Sequence, residues 1–174
     1  MNKRVNKKGE ILGLSFGMIF SILLIIFFVV IAFIVIKKFL GVGDCAKIGI
    51  FVERLEGDVK KTWNSQIDSH EFEGAVPGKI DYICFMDFLK EYKGNYKDFE
   101  DELGRYEESN YNLFFYPTAN ACDIPAHTID HVDIEKITLN RNPFCVKVNK
   151  GKINLIIEKE LNDPLVKISQ VNTK

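Results

Sequence analysis

Residues 11–36 read ILGLSFGMIFSILLIIFFVVIAFIVI, a run with no charged side chain between Glu10 and Lys37. Wound as an α-helix at about 1.5 Å per residue it is about 39 Å long, more than the roughly 30 Å hydrocarbon core of a bilayer. Ile11 to Ile36 is therefore expected to cross the lipid bilayer as a transmembrane helix. A cleavable secretory signal carries only about 7–15 apolar residues before a small-x-small site, and residues 23–36 offer no such site. The helix is read as a lasting anchor.

Outward from this run, Lys3, Arg4, Lys7 and Lys8 crowd its N-terminal side, whereas Lys37 and Lys38 follow it. The excess of positive charge before the helix predicts a cytoplasmic N-terminus. Three regions result: a cytoplasmic basic tail over 1–10, a transmembrane helix over 11–40 and an extracytoplasmic α+β domain over 41–174. Six of the 23 Lys/Arg residues and one of the 24 Asp/Glu residues precede Phe39, which leaves 17 basic and 23 acidic side chains beyond it, a net charge of −6. Phosphate-backbone affinity comes from clustered Lys and Arg, so an acidic domain without a basic stripe argues against a nucleic-acid partner.

All four cysteines, Cys45, Cys84, Cys122 and Cys145, lie beyond the anchor. An even number confined to that side predicts at least one disulfide, as an oxidising compartment permits. Of the three connectivities, Cys84 to Cys145 is favoured because both sit in the most strand-like segments. No pair has the short Cys-x₂₋₄-Cys spacing of a zinc site.

Within the outer domain, Gly41, Gly43 and Asp44 are expected to end the apolar helix, with Asp44 capping a second one. From Cys45 to Ile67 the apolar residues Ile48, Val52, Leu55, Val59 and Trp63 recur at steps of three and four, while Glu53, Arg54, Glu56, Asp58, Lys60 and Lys61 take the other face. This amphipathic helix either covers the domain's own sheet or docks on a partner helix. Trp63 is expected to be buried against the sheet.

Beyond residue 70 the period falls towards two. Ile80 to Asp87, after Pro77-Gly78, reads as a strand with apolar residues on both faces; residues 111–116, 133–139 and 165–171 are further strands. Phe144 to Val148, the turn Asn149-Lys150-Gly151 and Lys152 to Glu158 read as a β-hairpin. Tyr92, Tyr96, Phe99, Leu103 and Tyr106 alternate with acidic residues and predict a short helical insertion, its acidic side either solvated or turned to a cation or partner. The fold class expected is α+β: transmembrane helix, amphipathic helix, then a mainly antiparallel sheet with one helical insertion.

The outer domain carries no recognisable catalytic motif. None of its serines, Ser65, Ser69, Ser109 and Ser169, lies in a Gly-x-Ser-x-Gly elbow or a Ser-x-x-Lys pattern, and the chain has no phosphate-cradling glycine loop and no His-Glu-x-x-His. His127 and His131 would stand roughly 6 Å apart on a helix and could share a metal, but Pro125 and the β-branched Thr128, Ile129 and Val132 favour an extended chain that separates them by about 13 Å. No catalytic residue, metal or cofactor is assigned. The expected function is a membrane-anchored structural or binding module with a protein partner or self-association. An anchored hydrolase or metal enzyme would need a cleft gathering His70, His127, His131 or paired carboxylates.

Lys7-Lys8-Gly9-Glu10, followed at once by the apolar helix, resembles the prepilin signal of archaeal type IV pilins and archaellins. The resemblance implies processing at Lys8, Gly9 and Glu10, with cleavage after Gly9, and an apolar helix that becomes a filament core. The chain also resembles uncharacterised single-pass membrane proteins of small-genome archaea in phrases such as Tyr82-Ile83-Cys84-Phe85-Met86-Asp87 and Asn142-Pro143-Phe144-Cys145. That second likeness implies no activity.

Overall fold

A computed structural model of the chain describes residues 16–96 and 99–171. The expected basic tail and the expected processing site at Lys8, Gly9 and Glu10 lie outside the described residues. The chain divides after Val42 into two units, the second being Gly43–Lys174.

In the first unit the described residues form the N-terminal part of α1 (Phe16–Trp63), a helix of 48 residues. Every described side chain from Met18 to Phe39 is exposed, including Phe33, Ile36 and Phe39. This helix is long and apolar enough to cross a membrane. The expected break at Gly41–Asp44 does not occur, because α1 is continuous through these residues. A glycine costs a helix only about 1 kcal/mol relative to alanine, and Asp44 spends its carboxylate on Lys47 one turn later, 3.3 Å away, instead of capping a new helix.

The second unit is built on the C-terminal part of α1. Ile48, Phe51, Val52, Leu55 and Val59 are buried along one stripe. The helix ends at Trp63, earlier than the expected Ile67, which is exposed. Its last carbonyls are met by a cation from across the fold: the Lys159 ammonium donates to the Trp63 carbonyl at 2.6 Å and the Ser65 carbonyl at 2.9 Å. Positive charge suits a helix C-terminus, where unpaired carbonyls collect.

Two antiparallel sheets flank this stripe. One has the order β1-β6-β7, from β1 (Asp68–Ala75), β6 (Lys152–Lys159) and β7 (Lys167–Gln170). The other has the order β4-β3-β2-β5, from β2 (Tyr82–Phe85), β3 (Leu113–Tyr116), β4 (Ala126–His127) and β5 (Phe144–Lys147). Phe51 joins helix to both sheets, edge-on to Phe72 of β1 at 5.6 Å and to Phe115 of β3 at 5.7 Å between ring centres. Gly74 of β1 makes this approach possible, since a Cβ there would lie 2.4 Å from the Phe51 ring.

The two-sided apolar character of β2 is explained by what lies on each face. Ile83 and Phe85 join the α1 cluster, while Cys84 and Met86 face a second cluster roofed by Phe88, Tyr92, Tyr96, Phe99, Leu103 and Tyr106. That roof is the expected helical insertion in reduced form. Among the described residues its helical parts are short, α2 (Glu100–Leu103) and a 3₁₀ turn over Gly104–Tyr106, and Tyr92 and Tyr96 lie in irregular chain before them.

The predicted hairpin is a turn without a ladder. Asn149 and Lys152 exchange backbone hydrogen bonds around Lys150 (φ 50°) and Gly151 (φ 76°), as a tight hairpin turn requires. One residue back, the Val148 N–H donates to the Asp81 carbonyl, and β5 pairs with β2 while β6 pairs with β1. The turn therefore carries the chain from one sheet to the other. The strand predicted over 133–139 is also corrected, to α3 (Ile134–Ile137). Asp133 caps it by accepting from the Lys136 N–H at 3.0 Å, a local bond that outweighs the β-branched composition.

Candidate functional site

The last two turns of α1 present Glu56, Lys60 and Trp63 at steps of four and three, hence on one flank. β4 and the segment after it are placed against that flank. β3–β4 pairing sets Leu113 opposite His127, and the Asn112 side chain then holds both the N–H (2.8 Å) and the carbonyl (2.9 Å) of Ile129. Val166 donates to the His131 carbonyl and accepts from the Asp133 N–H. His131 is fixed at φ 65°, a left-handed conformation that costs a non-glycine residue about 1–3 kcal/mol.

The result is a small cleft of about 210 Å³ lined by Glu56, Lys60, Asp130 and His131. Along its side the Trp63 and His131 rings stack at 3.7 Å, with planes 6° apart. The indole N–H donates to the Pro164 carbonyl at 3.1 Å. Trp63 is thus half-buried on a histidine and not enclosed by the sheet as expected. His127 Nε2 lies 2.8 Å from a Glu56 carboxylate oxygen. Among the described residues no serine, threonine or cysteine side chain hydrogen-bonds to His127. The arrangement offers one ammonium, two carboxylates and two ring edges to a polar ligand.

His70 belongs to a different set on the same helix end. Its Nδ1 is 3.3 Å from Asp68 and its Nε2 is 3.8 Å from Asp58. Asp68 also accepts from the buried Thr62 hydroxyl at 2.8 Å. That hydroxyl, with the neighbouring imidazole, holds the Asp68 carboxyl below its ordinary value. The three histidines thus have separate partners along Glu56–Trp63 and do not converge. Among the described residues no group of three or more His, Cys, Asp or Glu side chains is placed to hold a metal ion.

A second hollow, of about 470 Å³, opens in the aromatic roof and is lined by Phe88, Leu89, Lys90, Glu91, Tyr92, Glu100 and Glu107. Leu89 is 96% exposed at its rim. The Tyr92 hydroxyl oxygen is buried without a hydrogen-bond partner among the described residues, and its pKa is pushed up to about 12, first by burial and then by the Glu100 and Glu107 carboxylates. Tyr92, Glu100 and Glu107 belong to the insertion whose acidic side was read as solvated or turned to a cation or partner, whereas Phe88, Leu89, Lys90 and Glu91 did not stand out in the sequence as a site. The one available signal is the juxtaposition of Phe88-Leu89 with acidic neighbours, which any solvated turn also shows.

The four cysteines pair as Cys84 with Cys145, the favoured bridge, and Cys45 with Cys122. Cys84 and Cys145 face one another across β2 and β5, with Cα atoms 4.0 Å apart, and both are buried. Cys45 lies on α1 one turn before Ile48 and is half-buried; Cys122 is exposed and has φ 55°. Comparison with protein-family models, with curated proteins and with solved structures finds no match to this chain.

Proposed function

We propose that the chain is a membrane-anchored extracytoplasmic binding module. The observation that carries this reading is the composition of α1: one unbroken helix whose N-terminal part is apolar and exposed throughout, and whose C-terminal part is the centre of a disulfide-braced core. An exposed apolar helix of that length has no stable place in water, and a bilayer supplies the apolar surroundings it lacks. Two disulfides suit an oxidising compartment, which supports an extracytoplasmic position for Gly43–Lys174 in this reading. The partner-facing surface in this reading is the flank of Glu56, Lys60, Trp63, Asp130 and His131, where charge and ring edges stand together in a cleft.

The test is protease accessibility on intact cells, combined with membrane extraction. The expected outcome is a chain released by detergent but not by salt or carbonate, with the region after Gly43 digested from outside. A carbonate-soluble chain, or one protected until the cells are lysed, would overturn the reading.

The continuity of α1 through Gly41–Asp44 favours one alternative, a type IV pilin-like subunit processed after Gly9. A helix that stays continuous from an apolar half into a half-buried amphipathic one can serve both as filament core and as the support of an outer domain. Intact-mass measurement on the protein from its native membrane separates the two. Retention of Met1–Gly9 sinks the processed form.

A further inference from the structure

The two disulfides differ in what surrounds them and in what they hold. Cys84–Cys145 lies inside the four-stranded sheet, at 0% and 1% exposure, beneath the aromatic roof. Cys45–Cys122 lies at the edge of the folded unit, between the first turn of α1 within it and the loop that follows the 3₁₀ turn Thr118–Asn120. Cys122 is open to solvent and its backbone stands at φ 55°. A non-glycine residue in that region is strained, and the strain is held only while the surroundings over-determine it.

The rest of the loop is secured independently. Ala121 is fully buried, Ile124 packs on the main core, the Thr118 hydroxyl and N–H donate to Glu102, and the Asn120 amide donates to the Lys79 carbonyl. The first turn of α1 in this unit is not. Among the described residues Gly43–Lys47, the Cys45–Cys122 bond is the one side-chain link to another element, since Asp44 and Lys47 pair with each other. Asp44 and Cys45 are half-buried, and full burial of the helix begins at Ile48.

We propose that Cys45–Cys122 is a thiol–disulfide exchange site, open to a protein dithiol of the oxidoreductase type, that latches the first turn of α1 to the domain. In the exchange, a thiolate of the incoming dithiol attacks the sulfur of the exposed residue Cys122, forming a mixed disulfide and releasing Cys45 as the thiolate. The second thiol of the dithiol then displaces Cys122. Two electrons and two protons pass from the dithiol to the Cys45–Cys122 pair, and the dithiol leaves as its own disulfide. Reduction lets Cys122 relax and unties Gly43–Lys47, while the Phe51-centred core and the buried Cys84–Cys145 bond stay in place.

The test uses the purified full-length chain in detergent micelles, with dithiothreitol as the probe dithiol at graded concentrations. Samples are quenched in acid, alkylated and mapped by peptide mass. Native-state hydrogen exchange is recorded on the same samples. Cys45 and Cys122 should become alkylated at least about tenfold faster than Cys84 and Cys145, as expected when access controls exchange. At that intermediate stage the amides of 43–48 should exchange at least about tenfold faster, with those of β2, β3 and β5 unchanged. Simultaneous release of all four thiols, or prior opening of Cys84–Cys145, overturns the exchange site. Opening of Cys45–Cys122 with no change in exchange at 43–48 overturns the latch.

Discussion

The two faces of the β4-β3-β2-β5 sheet are packed by different means. The inner face meets α1 through Ile83, Phe85, Leu113, Phe115 and Val146, all buried in one cluster with Phe51, Leu55 and Val59. The outer face holds Cys84, Phe114 and Cys145 under a roof of half-buried phenol and phenyl rings, where Phe99 stacks on Tyr116 at 3.7 Å and Tyr82 lies edge-on to Tyr96 and Phe99. Rings of this kind gain from offset and edge contacts, but a phenol also brings a hydroxyl that must be satisfied. The inner face is therefore held by shape and volume, and the outer one by a mixture of ring contacts and polar accounting. Substitutions on the two faces should differ in size and, at one position, in sign.

The largest effect belongs to Phe51. Its ring touches both sheets and fills the space that Gly74 leaves open, so Phe51→Ala removes the hub of the inner face. A loss of about 3–5 kcal/mol is expected, read from the denaturant midpoint of the full chain in detergent. A change under about 1 kcal/mol would mean the inner face does not depend on this residue and would break the comparison.

Asn142, fully buried where the chain enters β5, comes next. Its amide donates to the Asp87 carbonyl at 2.7 Å and the Lys90 carbonyl at 3.1 Å, and its side-chain oxygen accepts from the Asp87 N–H at 3.1 Å. One side chain thus pins the loop that leads into the aromatic roof. Asn142→Ala leaves these groups without partners, at about 1–3 kcal/mol for a buried unsatisfied group, so a loss of about 3 kcal/mol is expected. Hydrogen exchange should rise over 87–93 and leave β1 and β6 protected. Uniform loss of protection would show that the two faces do not separate.

These sites also mark how far the chain's architecture was legible. The stripe Ile48, Val52, Leu55, Val59 and the two-sided strand around Cys84 follow from periodicity, because burial imposes the 3.6 and 2.0 repeats directly on composition. Phe51 escaped notice because it sits at the margin of that stripe, and only the opening at Gly74 makes it central. The Asn149–Gly151 turn has the residues of a hairpin, yet which strands pair beyond it is decided by Asp81 and Val76, more than sixty residues earlier. Asp133 outweighs the strand propensity around it through one cap bond. The cleft at Glu56, Lys60 and His131 joins residues about seventy positions apart, and no local spacing encodes that meeting. Local patterns were readable wherever they answered to burial; of the pairings between distant segments, the Cys84–Cys145 bridge was readable and the sheet partners and the cleft were not.

The smallest effect, and the one with opposite sign, is at Tyr92. Its hydroxyl oxygen is buried with no partner among the described residues, beside Glu100 and Glu107. Tyr92→Phe keeps the ring in the roof and removes the group whose burial is uncompensated, so stability at neutral pH should rise by up to about 1 kcal/mol. The same residue gives a pH signature. Burial, then the two carboxylates, raises the folded-state pKa to about 12 from the ordinary 10.0. Between these values the unfolded chain has released the phenol proton and the folded chain still holds it, so the folded state binds more protons and stability falls as pH rises. Below pH 10 both states are protonated and this group contributes no slope. The wild type should therefore lose stability more steeply than Tyr92→Phe from pH 10 to 12, with parallel curves below. Tyr116, whose phenol is also raised by burial, stays in both proteins and cancels from the difference. Parallel curves throughout, together with a destabilised variant, would place a hydrogen-bond partner on the Tyr92 hydroxyl and make the outer face as fully satisfied as the inner one.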